Sequence, residues 1–222
     1  MPTAAPAFRI LTFVGVLALS GTPASAHPHV WVTAKAEIDY ASGKVTGIRH
    51  SWTFDAAYSA FVTQGLDTNK DGKLTPDELA GLATENTQNL AEFGYFTKLK
   101  VAGKEQAFAE PTEPRMAMGG ETLTLSFLLP LKAPATQGRG VVALEVYDPT
   151  FFVSFGLADG ADAARLTGAP AGCAATITRP KAAETKTADG SKPGMTEAFF
   201  EALTAASNYG VQYAQRVLVA CP

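Results

Sequence analysis

From Thr97 onward the sequence is a succession of short runs rich in β-branched and aromatic residues: TKLKV, EQAFAE, ETLTLSFLLPL, VVALEVYD, FFVSFG, ARLTG and AATITRP. Breaks rich in proline and glycine, PTEPRMAMGG and APATQGRG, separate several of them. This pattern predicts an antiparallel β-sandwich. Ahead of it, HVWVTAKAEIDY, the turn ASG and KVTGIRHSWTF read as a β-hairpin. Two helical stretches lie between. Ala57, Tyr58, Phe61 and Val62 recur at helical spacing, and a second helix is expected from Pro76 to about Phe93, with Leu79, Leu82, Ala83, Leu90 and Phe93 on one stripe. The expected fold is mainly β with a helical insertion (α+β). It is an antiparallel β-sandwich-like domain carrying a single EF-hand-like helix-loop-helix over residues 56–95 and a C-terminal helix that begins in MTEAFFEAL.

The amino end has a different grammar. Arg9 precedes the apolar run ILTFVGVLALS, and Ala24-Ser25-Ala26 fits the small-residue cleavage rule, so residues 1–26 read as a signal peptide and 27–222 as a single periplasmic domain. No segment approaches the ~20 apolar residues of a membrane helix, so no stable membrane insertion is expected after cleavage. With 18 Lys and Arg against 21 Asp and Glu the chain carries a formal charge of −3, and the signal's only charge is Arg9. That balance gives no electrostatic case for nucleic acid or an anionic membrane. Cys173 and Cys221 are expected to form one disulfide, a bridge whose long loop is worth about 4 kcal/mol on chain entropy. They lack the C-x-x-C spacing of a metal pair. RPKAAETKTADGSKPG, residues 179–194, has almost no large apolar side chain and reads as a flexible linker.

Between the two helical stretches, DTNKDGKLTPDE matches the calcium-loop pattern D-x-[DN]-x-[DN]-G-x5-E. A hard cation wants six or seven oxygens. Asp67, Asn69 and Asp71 would converge from alternate positions, and Gly72 would permit the sharp turn. Lys73 would offer its backbone carbonyl, Thr75 a direct or water-mediated oxygen and Glu78 a bidentate carboxylate. Leu74 would anchor the loop to the core. Sensor hands come in pairs, and a single loop points to structural Ca2+.

Two of the 3 histidines fall in SAHPHVWV. A His27 exposed by signal cleavage would offer an α-amine and an imidazole together, and His29 adds a second imidazole, a nitrogen cluster suited to Zn2+, Ni2+, Co2+ or Cu2+. Pro28 has no amide proton to lose, which removes the backbone-nitrogen mode of copper binding. If Ala41-Ser42-Gly43 is a three-residue hairpin loop, Tyr40 pairs with Lys44, Val30 with Phe54, Val32 with Trp52 and Ala36 with Ile48. His29 then faces Asp55, a candidate ligand or orienting acceptor, and His50 lies opposite Ala34 on the apolar face as a core residue. A two-residue loop would shift every partner by one and mix the faces. Met116 and Met118 are weaker candidates for Cu+ and Asp148 reads as a turn carboxylate. No G-x-S-x-G, free nucleophilic cysteine or phosphate loop is present, and no enzymatic activity is expected.

Taken together, HPHVWV, IRHSWTFD, the calcium-type loop, YFTKL, VYDPTFFVSF and the two distant cysteines resemble a periplasmic domain-of-unknown-function family, described as a periplasmic component of ABC-type transport systems. The likeness covers nearly all of the chain after residue 26. Members of that family are associated with nickel/cobalt-type permeases and with zinc acquisition. The resemblance implies a metal-uptake accessory that hands zinc, or nickel or cobalt, to a membrane permease of nickel/cobalt or ABC type. His27, His29 and His50 match the family's histidine positions, and on that ground His50 joins the candidate ligands. Two other classes stay open: a copper histidine-brace oxidative enzyme, and a calcium-stabilised periplasmic scaffold whose histidines bind no transition metal.

Overall fold

The computed structural model describes residues 28–180 and 208–222. His27, the segment read as a signal peptide, the linker beyond Pro180 and the start of the expected C-terminal helix lie outside the described residues.

The hairpin forms from β1 (Val30–Ala41) and β2 (Lys44–Phe54), whose burial alternates residue by residue along most of their length. Its loop has two residues, not three: Ser42 and Gly43 both adopt positive φ, 50° and 74°, the conformation that matches strand twist in a tight hairpin. The register then slips between Asp39 and Tyr40, because Gly47 pairs with Asp39 and Val45 with Tyr40. Thr46 is thereby the extra residue of a β-bulge. The bulge restores the parity that the short loop would have upset. The expected residues face inward, but every partner past the bulge is displaced by two: Val32 pairs with Phe54, Ala34 with Trp52, Ala36 with His50 and Ile38 with Ile48.

Helix α1 (Ala56–Val62) follows β2 directly, and α2 (Pro76–Asn89) follows the acidic loop. The second helix stops at Asn89, before the expected Phe93. Leu90–Phe96 winds on as a 3-10 segment in which Gly94 and Tyr95 take left-handed angles. Leu79, Ala83 and Leu90 of the expected stripe are buried, whereas Phe93 is exposed.

The remaining strands are β3 (Thr97–Val101), β4 (Lys104–Glu105), β5 (Thr112–Gly119), β6 (Thr122–Thr136), β7 (Val141–Val146), β8 (Val153–Leu157), β9 (Ala164–Thr167), β10 (Ala174–Thr178) and β11 (Arg216–Ala220). One sheet runs β5-β6-β2-β1-β8, with β9 also on β1, and the other runs β10-β11-β7-β3-β4. The expectation of purely antiparallel sheets is corrected here, since β8 and β9 both lie parallel to β1. PTEPRMAMGG, expected as a break, contains edge strand β5. Its proline Pro114 sits where the register shifts between Thr112 and Arg115, a place where a missing N–H costs no ladder bond.

Ile38, Ile48, Leu125 and Leu129 of the first sheet join Leu99, Leu144, Val217 and Val219 of the second in one hydrophobic cluster. Polar bonds cross between the layers as well: Tyr40 donates to Gln137 Oε1 at 2.7 Å, and Gln137 Nε2 donates to the Val219 carbonyl at 3.0 Å. Burying these amide and hydroxyl groups is tolerable because each is satisfied. Cys173 and Cys221 form a disulfide beside the β10–β11 pair. It places the chain among proteins that mature in an oxidising, non-cytoplasmic compartment. Among the described residues no helix is long and apolar enough to cross a membrane.

Candidate functional site

The acidic loop hangs between α1 and α2. Gly72, the sixth residue from Asp67, has φ 78°, the left-handed turn that a calcium loop requires at this position. The side-chain oxygens point back into the loop's own amides. Asp67 accepts from Gly72 N at 2.9 Å and Asp71 N at 3.2 Å, Asn69 Oδ1 from Asp71 N at 2.9 Å, and Asp71 Oδ1 from Lys73 N at 2.8 Å.

Glu78 closes the circuit. One carboxylate oxygen accepts from Thr75 N and Oγ1 at 3.0 and 2.9 Å, and the other from Thr68 N and Oγ1 at 3.0 and 2.9 Å. Thr75 Oγ1 in turn caps α2 by accepting from Glu78 N, a full capping box. These bonds, led by the one from the Thr75 amide, hold the Glu78 carboxyl down to about 2. Leu74 packs against the core as expected. Asp67, Asn69, Asp71, Thr75 and Glu78 thus set oxygen atoms around one loop, with a carboxyl side chain at each end. Thr68 was not foreseen; it is a non-ligand position of the motif whose two donors orient Glu78.

The histidine candidates separate in space. His29 is exposed at the start of β1, its amide donates to the Phe152 carbonyl at 2.9 Å, and its ring stacks on Phe152 with centroids 4.6 Å apart. His50 is 2% exposed on the inner face of β2. Its ring lies 5.0 Å from Phe127 and 5.2 Å from Trp52, and Nε2 shares a 3.3 Å hydrogen bond with Thr97 Oγ1 on the opposite sheet. Burial drives its pKa down to about 3, and Nδ1 is buried without a hydrogen-bond partner. His50 is therefore a neutral core imidazole.

Asp55 stands opposite Trp31, not His29, as a consequence of the displaced register. One carboxylate oxygen accepts from Trp31 N and the other from Tyr58 N, each at 2.9 Å, which makes Asp55 the N-cap of α1. Burial pushes its carboxyl up, but the amide donors outweigh burial and hold it below the ordinary carboxylate range. Among the described residues, no three His, Cys, Asp or Glu side chains converge as a ready-made metal cage. Met116 is buried and Met118 packs against the same core. Asp148 is also buried, where it accepts from Thr150 N, Thr150 Oγ1 and Val153 N at 2.8 to 3.0 Å and shapes the turn into β8.

Residues 12–221 match a family described as "Protein of unknown function (DUF1007)". The chain belongs to this family. Among curated proteins it is similar to an uncharacterized 15.5 kDa protein in the trpE 3' region of Spirochaeta aurantia, 31% identical over 86 residues, which are 39% of this chain and 61% of that protein. It is also similar to an uncharacterized protein of Haemophilus influenzae, 24% identical over 131 residues, 58% of this chain and 62% of the relative. The matches thus span about three-fifths of each relative's length. No solved structure matches.

Proposed function

We propose that this protein is a periplasmic accessory of a divalent transition-metal uptake system. It binds zinc, or nickel or cobalt, through His27 and His29 and presents the ion to a membrane permease, on a body braced by a structural calcium ion in the Asp67–Glu78 loop. The observation that carries this reading is the position of His29. It stands exposed at the outset of β1, next to the end that processing would expose, with its ring oriented by Phe152. An imidazole held in this way loses less freedom on taking a ligand than one on a frayed chain.

His50 and Asp55 are outside this ligand set. The imidazole of His50 is packed between aromatic rings in the core, and both oxygens of Asp55 already cap backbone amides. The calcium half of the proposal rests on the loop's donor set and on the left-handed Gly72. Membership of the family is consistent with the reading but does not name a cargo.

The test is isothermal titration with elemental analysis on chain purified after export and beginning at His27. One equivalent of zinc, nickel or cobalt is expected, lost in the His27→Ala, His29→Ala double variant and kept in Asp55→Asn. Unchanged affinity in the double variant would end the proposal. Copper bound with reductant-dependent oxidation would move the protein to the histidine-brace class, and calcium alone would leave a scaffold.

A further inference from the structure

A cavity of about 620 Å³ opens between the inner face of the first sheet and the helical insertion. Its walls are aromatic: Trp52 and Phe54 from β2, Phe155 from β8, and Tyr58, Phe93 and Phe96 from the helical side. These rings support one another, with Trp52 edge-on to Phe155 at 5.0 Å, Phe54 against Tyr58 at 4.8 Å and Phe93 stacked on Phe96 at 5.3 Å. Rings braced in this way keep their faces in place when the space between them is filled. The volume falls within the range of pockets that take a small organic molecule.

The charge of the lining narrows the class. Among the described residues, its ionisable carboxyl groups are Glu85 on α2 and Asp148 at the turn into β8, and no Lys, Arg or His lines it. Asp148 is 5% exposed, and its partners are amides and a hydroxyl, not a cation. His29 stacks on Phe152 at the rim without lining the cavity. A fatty acid or other organic anion would set its carboxylate beside the buried Asp148 and the exposed Glu85 with no basic side chain in the lining to balance it, which the electrostatics oppose. Aromatic faces carry a negative quadrupole and attract cations, most strongly when the cation is weakly hydrated.

The geometry points to a binding site for a small organic cation of the alkyl- or arylammonium class, its apolar body between the rings and its charge toward Asp148 and Glu85. None of the acidic-loop residues from Asp67 to Glu78 lines this site, and the proposal stands whether or not that loop binds calcium.

Trp52 supplies its own reporter. In a Trp31→Phe background the single remaining indole is in the cavity wall, and titration with phenyltrimethylammonium should change its emission saturably. The uncharged isostere tert-butylbenzene should bind at least about ten-fold more weakly, and phenylacetate should not bind. Glu85→Gln, at an exposed position on α2, should lower the affinity for the cation about three-fold while far-UV circular dichroism stays unchanged. Equal binding of cation and isostere, preference for phenylacetate, or no saturable change in the folded protein would each overturn the assignment.

Discussion

His50 shows how one buried side chain writes a pH dependence into the fold. Its folded pKa of about 3 lies well below the 6.5 of an unfolded chain, so between those values the unfolded state binds more protons. The associated stability is therefore complete above about pH 6.5 and is lost as pH falls toward 3. Between pH 7.5 and 5 the protein should lose about 2 kcal/mol from this group, and His50→Gln should flatten that slope in urea denaturation, whatever it does to stability at pH 7.5. A slope unchanged by the substitution would show that other groups set it. Glu78 works lower on the scale. With its folded carboxyl near 2 and the ordinary value at 4.5, its contribution is present above about 4.5 and disappears as pH falls through 2. Asp55 has a simpler role: as cap of α1, its replacement by alanine should cost about 1 kcal/mol in thermal unfolding and leave transition-metal stoichiometry intact.

At the scale of elements, the hairpin shows what sequence can and cannot disclose. The β-branched and aromatic residues of HVWVTAKAEIDY and KVTGIRHSWTF marked both strands, and their inward faces came out as expected because period-two burial is a property of each strand alone. Pairing is a property of the loop and the bulge together. A Ser-Gly loop of two residues plus an extra Thr46 gives the same facing residues as a three-residue loop, with all partners moved by two, and this difference carries Asp55 from His29 to Trp31. Strand β5 was hidden for a related reason: the prolines and glycines of PTEPRMAMGG signal a turn, but an edge strand with a register shift tolerates Pro114. Strand direction leaves no trace in periodicity, so β8 and β9 could not be known to run parallel to β1. In the acidic loop the left-handed turn at Gly72 was legible because it depends on local spacing, whereas the bonds from Thr68 to Glu78 left no sign in the motif. Within it, Thr75→Ala removes the cap of α2, with an expected cost of about 1 kcal/mol in calcium-free buffer, measured by thermal unfolding.

The whole molecule is two sheets, a shared core and a covalent tie at the chain's end. Gly210 shows how tightly that end is seated. A Cβ at this position would lie 1.8 Å from the Asp148 carbonyl oxygen, so the turn at Tyr209–Tyr213 closes on the β7–β8 connection only because the residue is glycine. Gly210→Ala should lower unfolding stability by roughly 2 to 4 kcal/mol, read as a drop in the urea midpoint. Cys173 and Cys221, 48 residues apart in sequence, add the constraint that reduction would remove. The bridge ties the end of β11 to the start of β10, in the sheet that packs over the core carrying Trp52.

The helical insertion, by contrast, is joined by the acidic loop, whose Glu78 carboxylate is tied to Thr68 and Thr75 at the entrance to α2. The most direct measurement is the melting temperature with calcium and with EGTA, for the natural chain and for Glu78→Gln. Calcium at about a hundred times its dissociation constant should raise the natural chain's Tm by roughly 5 to 10 °C and leave the variant almost unmoved. Identical melting with and without calcium in the natural chain would contradict the calcium-braced fold.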